Sequence, residues 1–279
     1  MQSRTAIRNS AQIYLWLVPL LTAALGFGAG HISYRLYVPI WLLNVCVMAA
    51  AVWLLGGHAR GRAEGGVPHL GAAALLLVVP WGLFSIFFGM GPPPATAAVW
   101  AASVVEQQVR YGLLIVGGVL ATLGFGLLRE CAKDAGEKIY SQLGFTMMLI
   151  AAPLFILNMV FWGSYLGEAF TLFAKLPAGQ RPDWYLPVRA EFGLVSTVEV
   201  GLTYVATAAF ATSLRAAGWI PPTAGRVYQG LNLLGLILAT LPPGLPEPLA
   251  TFGYLVCVPA IPFIMPYVMG VNLLQRVGR

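Results

Sequence analysis

Apolar runs of about twenty residues, separated by short polar or basic stretches, recur from one end of the chain to the other. As helix, a run of that length crosses the roughly 30 Å hydrocarbon layer of a bilayer. The pattern predicts eight such spans: residues 11–30, 38–55, 70–90, 108–128, 143–166, 193–214, 227–241 and 249–274. The runs are continuously apolar rather than alternating, which disfavours a β-barrel. The expected fold is therefore all-α: a polytopic membrane protein with about eight transmembrane helices, in one domain covering residues 1–279.

The stretches between spans refine this. Pro92, Pro93 and Pro94 exclude helix after the third span. Residues 129–142 (RECAKDAGEKIYSQ) are the most charged segment and read as aqueous. The longest loop is 167–191, in which Phe170 and Phe173 fall at helical spacing. That spacing predicts a short helix on the outer surface. Trp184 and Tyr185 follow as interface residues, suited to membrane anchoring or to docking a partner. The turn at 242–248 leaves open a re-entrant pair in place of the last two spans. The last span is rich in proline, with Pro259, Pro262 and Pro266. The first span resembles a signal peptide, but its length and the closeness of the second span favour a retained helix.

Composition agrees. The chain is 58% hydrophobic and 9% charged, with mean hydropathy +0.78, whereas soluble domains carry roughly a quarter charged residues. The net charge of +6 does not indicate nucleic acid, because the basic residues lie between spans. Eleven of the 16 Lys and Arg residues fall on one set of loops and five on the other. The positive-inside bias then places both termini in the cytoplasm. High alanine, glycine, proline and arginine with only three lysines points to a bacterium with a GC-rich genome, and so to its inner membrane.

Candidate chemistry is sparse. Cys46, Cys131 and Cys257 form no CxxC and no even-numbered framework. His31, His58 and His69 offer neither a haem pair nor a metal cluster, so no cofactor and no metal is expected. No lysine lies in a span, and none of the hydrolase, zincin or phosphate-loop motifs occurs. No catalytic residue is assigned.

Glu199 stands out as an acid inside the sixth span, about six residues or roughly 9 Å from its outer end. An acid at that depth should face protein or water. Ser196, Glu199 and Thr203 share one helix face. Asn158 lies at a matching depth in the fifth span, roughly 12 Å from its outer end, and is the expected hydrogen-bond partner. Glu106 and Arg110, four residues apart in the favourable order, are expected to form an interfacial ion pair.

Three functions fit. The first is a non-catalytic integral subunit or accessory protein of a larger membrane assembly, with lipid and other membrane subunits as partners. The second is a small transporter or ion-coupled permease using Glu199 and Asn158. The third is a lipid-binding or lipid-modifying membrane enzyme.

Overall fold

The computed structural model describes residues 2–56, 69–94, 96–183, 185–242 and 244–278, with the side chains of residues 2–5 and 178 left aside. Every regular element among the described residues is helical. In chain order they are α1 (Gln2–Gly28), α2 (Tyr34–Gly56), α3 (Leu70–Phe84), α4 (Phe87–Met90), α5 (Ala97–Ala102) and α6 (Val104–Asp134). Then come α7 (Ile139–Val160), α8 (Leu166–Phe173), α9 (Tyr185–Ala216), α10 (Pro222–Ala239), α11 (Leu249–Val256) and α12 (Ile264–Val277).

Among the described residues six helical segments are long and apolar enough to cross a membrane: Ala6–Gly28, Tyr34–Gly56, Leu70–Met90, Val104–Asp134, Ile139–Phe173 and Tyr185–Ala216. A seventh is added if α11 and the segment Ile261–Val277 count as one span, bent by 69°. This is the build of a multi-pass membrane protein. The count falls short of the expected eight at the C-terminal end. The helix α10 has only 18 residues and carries Arg226, Gln229 and Asn232 in its first two-thirds, and the last span is broken.

Both termini lie at one end of the bundle. Arg8 Nη2 donates to Gly278 O at 3.0 Å, and Gln12 pairs with Gln275. The opposite end is called distal below.

Helices outrun the apolar stretches that announced them. The helix α6 continues to Asp134, so most of the charged segment expected to be loop is helical. It stops at Gly136, whose φ of +91° admits glycine readily, and Glu137 N donates back to Ala132 O at 2.9 Å. The helix α9 ends in the same way at Gly218, where φ is +67° and Trp219 N reaches Leu214 O at 2.9 Å. Glu137 also opens α7. Its carboxylate accepts from Tyr140 N at 2.8 Å and Ser141 N at 3.0 Å, satisfying donors that a helix start leaves free.

The expected outer loop 167–191 is largely helix too. The helix α7 passes through a π-helical turn, Phe161–Tyr165, directly into α8, and α9 begins at Tyr185. A π-turn is accommodated where a close neighbour needs room. Here Gly163 faces Tyr111, and a Cβ at 163 would come within 2.7 Å of the Tyr111 Cβ.

The core follows a chain of neighbours: α10 on α9, α9 on α7, α7 on α6, α6 on α3 and α3 on α12. The hairpin of α1 and α2 is peripheral. Only 17% of α2's apolar window is buried, against 56% for those of α3 and α9. Small residues let the central helices approach. Gly117 and Gly118 of α6 receive Phe84 from α3 and Phe155 from α7. Both rings meet Phe263, with centroids 5.2 and 5.5 Å away. Phe263 lies in the short 3₁₀ turn Ile261–Phe263 that precedes α12. Pro259, Pro262 and Pro266 explain why the helix cannot run straight through this point.

Candidate functional site

Three groups of polar or aromatic side chains stand out, in the middle of the bundle and at its distal end. The first is in the middle. Asn158 on α7 donates from Nδ2 to Glu199 Oε1 on α9 at 3.2 Å, and both residues are 1% exposed. They lie about 28 Å and about 25 Å from the terminal ends of their helices by helical rise. The helices α7 and α9 form the most extensive contact in the molecule. Thr203 donates to Glu199 O and Thr207 to Thr203 O, each at 2.8 Å, so these hydroxyls serve their own helix. Ser196 is half-buried, one turn towards the distal end. Glu199 Oε2 and Asn158 Oδ1 have no hydrogen-bond partner among the described residues.

The second group is at the distal end, around the start of α6. Here the expected ion pair does not form. Glu106 is turned to the α1–α2 hairpin instead. Its oxygens lie 3.1 and 3.2 Å from His31 Nε2, and Tyr37 Oη donates to Oε1 at 2.9 Å. Arg110, one helical turn on, is wholly buried. Its Nη2 donates to Gly91 O at 2.9 Å, its Nε faces Met90 Sδ at 3.3 Å, and its Cζ lies 5.3 Å from the Phe87 ring centre. No carboxylate pairs with it among the described residues. The Tyr111 phenol and the Glu106 carboxylate both act electrostatically on Arg110, while Arg110 Nη1 and Gln107 Oε1 have no hydrogen-bond partner among the described residues. The i, i+4 rule anticipates a local pair. The tertiary fold supplies Glu106 with better donors and gives Arg110 a carbonyl that the proline run leaves outside any helix.

The third group is aromatic. Trp100 on α5 meets Phe170 on α8 at 5.5 Å, and Tyr185 at the start of α9 meets Phe170 at 5.6 Å and Phe173 at 5.3 Å. Trp162 of the π-turn stacks on Tyr111, and Arg189 lies over the Trp162 ring with Cζ 5.7 Å from its centre. Phe161 stacks on Phe192 at 4.0 Å. Phe170 and Phe173 thus brace helices against one another rather than pointing into lipid, because α8 is a continuation of α7 and not a surface helix. Trp184, expected as an anchor beside Tyr185, lies outside the described residues, as does His58.

A cavity of about 60 Å³ opens beside the second group. It lies between α1, the α3–α4 junction, the Gly91–Pro93 segment and the break after α11. Its walls are almost entirely apolar, Phe84, Phe87 and Ile261 among them. Thr22, Trp81 and Tyr254 are the lining residues with polar side-chain atoms; the Thr22 hydroxyl is spent on Val18 O at 2.9 Å, and the buried Trp81 indole N–H has no acceptor among the described residues.

His31, Tyr37 and Gly91 were not singled out from sequence. The signal for His31 was its position at the distal end, the same end as Glu106. Among the described residues no three His, Cys, Asp or Glu side chains gather as a metal would need. The chain matches no known protein family, no characterised relative and no solved structure.

Proposed function

We propose that the protein is a non-catalytic integral subunit of a larger membrane assembly, crossing a bacterial inner membrane eight times if α10 and the bent α11–α12 segment complete the six long spans, with both termini in the cytoplasm. The observation that carries this reading is the closure of Glu199. Glu199, the one acid in the middle of the bundle among the described residues, is bonded to Asn158 and 1% exposed. It lies among helices rather than in the wall of the distal cavity. An acid placed like that ties helices together. The distal end adds a second support. The segment Ile139–Phe173 is 35 residues long, about 52 Å of helix, which exceeds the hydrocarbon thickness by about 20 Å. Its aromatic bracing against α9 offers a stiff surface outside the bilayer.

Extraction in mild detergent through a C-terminal tag, followed by native mass measurement, tests the proposal. The expected species is heavier than the 29.8 kDa chain and contains fixed partners in constant ratio. Recovery of the lone chain under conditions that keep other inner-membrane complexes intact overturns it.

A second reading, an ion-coupled permease working through Glu199 and Asn158, is favoured by one observation. The helix break after α11 adjoins α9, where Tyr204 Oη donates to Val256 O at 3.0 Å, and broken helices at mid-membrane accompany ion sites in transporters. Reconstituted vesicles separate the two readings. A permease shows solute-dependent ion flux that Glu199→Gln abolishes, whereas a subunit shows none.

A further inference from the structure

We infer that α11 is a hinged flap on the distal part of α9, latched by Tyr204, and that its opening uncovers the face of α9 beside Glu199. The inference rests on neither reading of the function. None of the eight residues of α11 is buried, whereas half of α12 is. The two are joined through a bend of 69°, and burial changes sharply inside that joint. Val258 and Pro259 are half-buried, but Ala260 and Phe263 are 5% and 3% exposed. Phe263 is gripped between the rings of Phe84 and Phe155. The 3₁₀ turn is therefore the fixed side of the hinge and α11 the loose side. Pro259 and Pro262 lack the N–H groups that would continue a helical ladder through the joint. At its other end α11 follows the proline-rich turn 242–248. The bonds there stay within the segment: Thr251 Oγ1 donates to Glu247 Oε2 at 2.5 Å and Phe252 N to Pro248 O at 3.1 Å.

Little ties this flap to the bundle. Among the described residues, Tyr204 Oη on α9 donates to Val256 O at 3.0 Å, and Cys257 Sγ faces Ala239 O at the end of α10 at 4.0 Å. A thiol is a weak donor, so the phenol is the latch. Val256 and Cys257 also pack on a small apolar cluster of Val200, Tyr204 and Ala239, which Leu236 of α10 covers from its own side. Val200 is 2% exposed and follows Glu199 in the chain. The Glu199 carboxylate is near enough to act electrostatically on Cys257. A segment with no buried residue of its own, held by one neutral hydrogen bond and a few half-buried side chains, belongs to the part of a fold that opens at low free energy.

Thiol protection tests this. In a chain with Cys46, Cys131 and Cys257 replaced by alanine, Val200→Cys puts a thiol beneath the flap. Ala211→Cys, made separately, puts one at a wholly buried position on the same helix, about three turns away. Each purified protein is reacted in detergent with a small water-soluble methanethiosulfonate. The thiol at position 200 should react about tenfold faster than that at 211, ~1.4 kcal/mol. Adding Tyr204→Phe should speed the reaction at 200 about fivefold, ~1 kcal/mol, as loss of one hydrogen bond does, and leave 211 unchanged. Equal rates at the two positions in the chain that keeps Tyr204 overturn the flap, whether or not Tyr204→Phe folds. An unchanged rate at 200 with Tyr204→Phe overturns the latch. So does an equal acceleration at both positions, because the bond then holds the bundle and not the flap.

Discussion

Asn158 and Glu199 meet across the interface of α7 and α9, Nδ2 to Oε1 at 3.2 Å, with no solvent contact to either. Their other oxygens, Oδ1 and Oε2, are left without partners among the described residues. Both are acceptors, and a donor placed on residue 199 would give Asn158 Oδ1 a partner. Glu199→Gln supplies it, since its amide can donate towards Asn158 Oδ1 while its carbonyl still accepts from Nδ2. This variant should be at least as stable as the unchanged protein. Glu199→Leu and Asn158→Leu should each cost about 1–2 kcal/mol, with a coupling energy near 0.6 kcal/mol in the double variant, the usual size for interhelical hydrogen bonds in membranes. Reversible unfolding in mixed micelles measures all four. A destabilised Glu199→Gln would show that the carboxylate itself is needed.

The centre of the bundle makes a different demand. A Cβ on Gly117 would come within 2.3 Å of Phe84 Cε1, and one on Gly118 within 2.6 Å of Phe155 Cε1. Both rings are locked against Phe263, so neither can retreat freely. Gly117→Ala is therefore expected to cost about 1–3 kcal/mol by overpacking. Phe84→Leu in the same chain should recover much of the loss. Thermal midpoints of the single and double variants decide it; if the second change adds its own penalty in full, the clash lies elsewhere.

These two sites differ in how far the sequence revealed them. The match between Asn158 and Glu199 could be found by counting residues along two adjacent helices, because helical rise converts position into depth. Pro259, Pro262 and Pro266 lie at the break before α12, but hydropathy alone carries one span, 249–274, straight through them. The start of α9 was not legible either. Pro187, Arg189 and Glu191 depress hydropathy there, and hydropathy reports contact with hydrocarbon, not helix. For the same reason α6 and α8 extend into stretches read as loop. Glu106 and Arg110 illustrate a further limit. Local spacing identified a pair, but their true partners, His31, Tyr37 and Gly91, come from other helices and loops. The cavity could not be read at all, since four separate segments build it.

The placement of the ends gives a topology prediction. Lys133 lies at the end that holds both termini, and Arg181 in the segment between α8 and α9 at the distal end. In a chain with Cys46, Cys131 and Cys257 replaced by alanine, Arg181→Cys should react with a membrane-impermeant maleimide in intact spheroplasts. Lys133→Cys should react only after permeabilisation. The reversed pattern would invert the orientation inferred from the loop charges.

Glu137 gives the clearest dependence on pH. It lies between α6 and α7, outside the apolar spans. Partial burial pushes its carboxyl up, but the hydrogen bonds from Ser213 and from the backbone of Tyr140 and Ser141 outweigh that, and the net direction is below the ordinary value of 4.5. The Ser213 bond also ties the start of α7 to the last turns of α9. A carboxyl lowered on folding contributes stability that is complete above pH 4.5 and is lost as pH falls through the folded value. Glu137→Gln should therefore unfold at a lower temperature at pH 7, and the gap should narrow as the sample is acidified below pH 4.5. Ser213→Ala should fall between the two at pH 7 and narrow in the same range. Midpoints recorded in one detergent from pH 7 to pH 3 test this. Parallel curves for the unchanged protein and Glu137→Gln would mean that the capping carboxylate is not the group whose protonation loosens this end of the bundle.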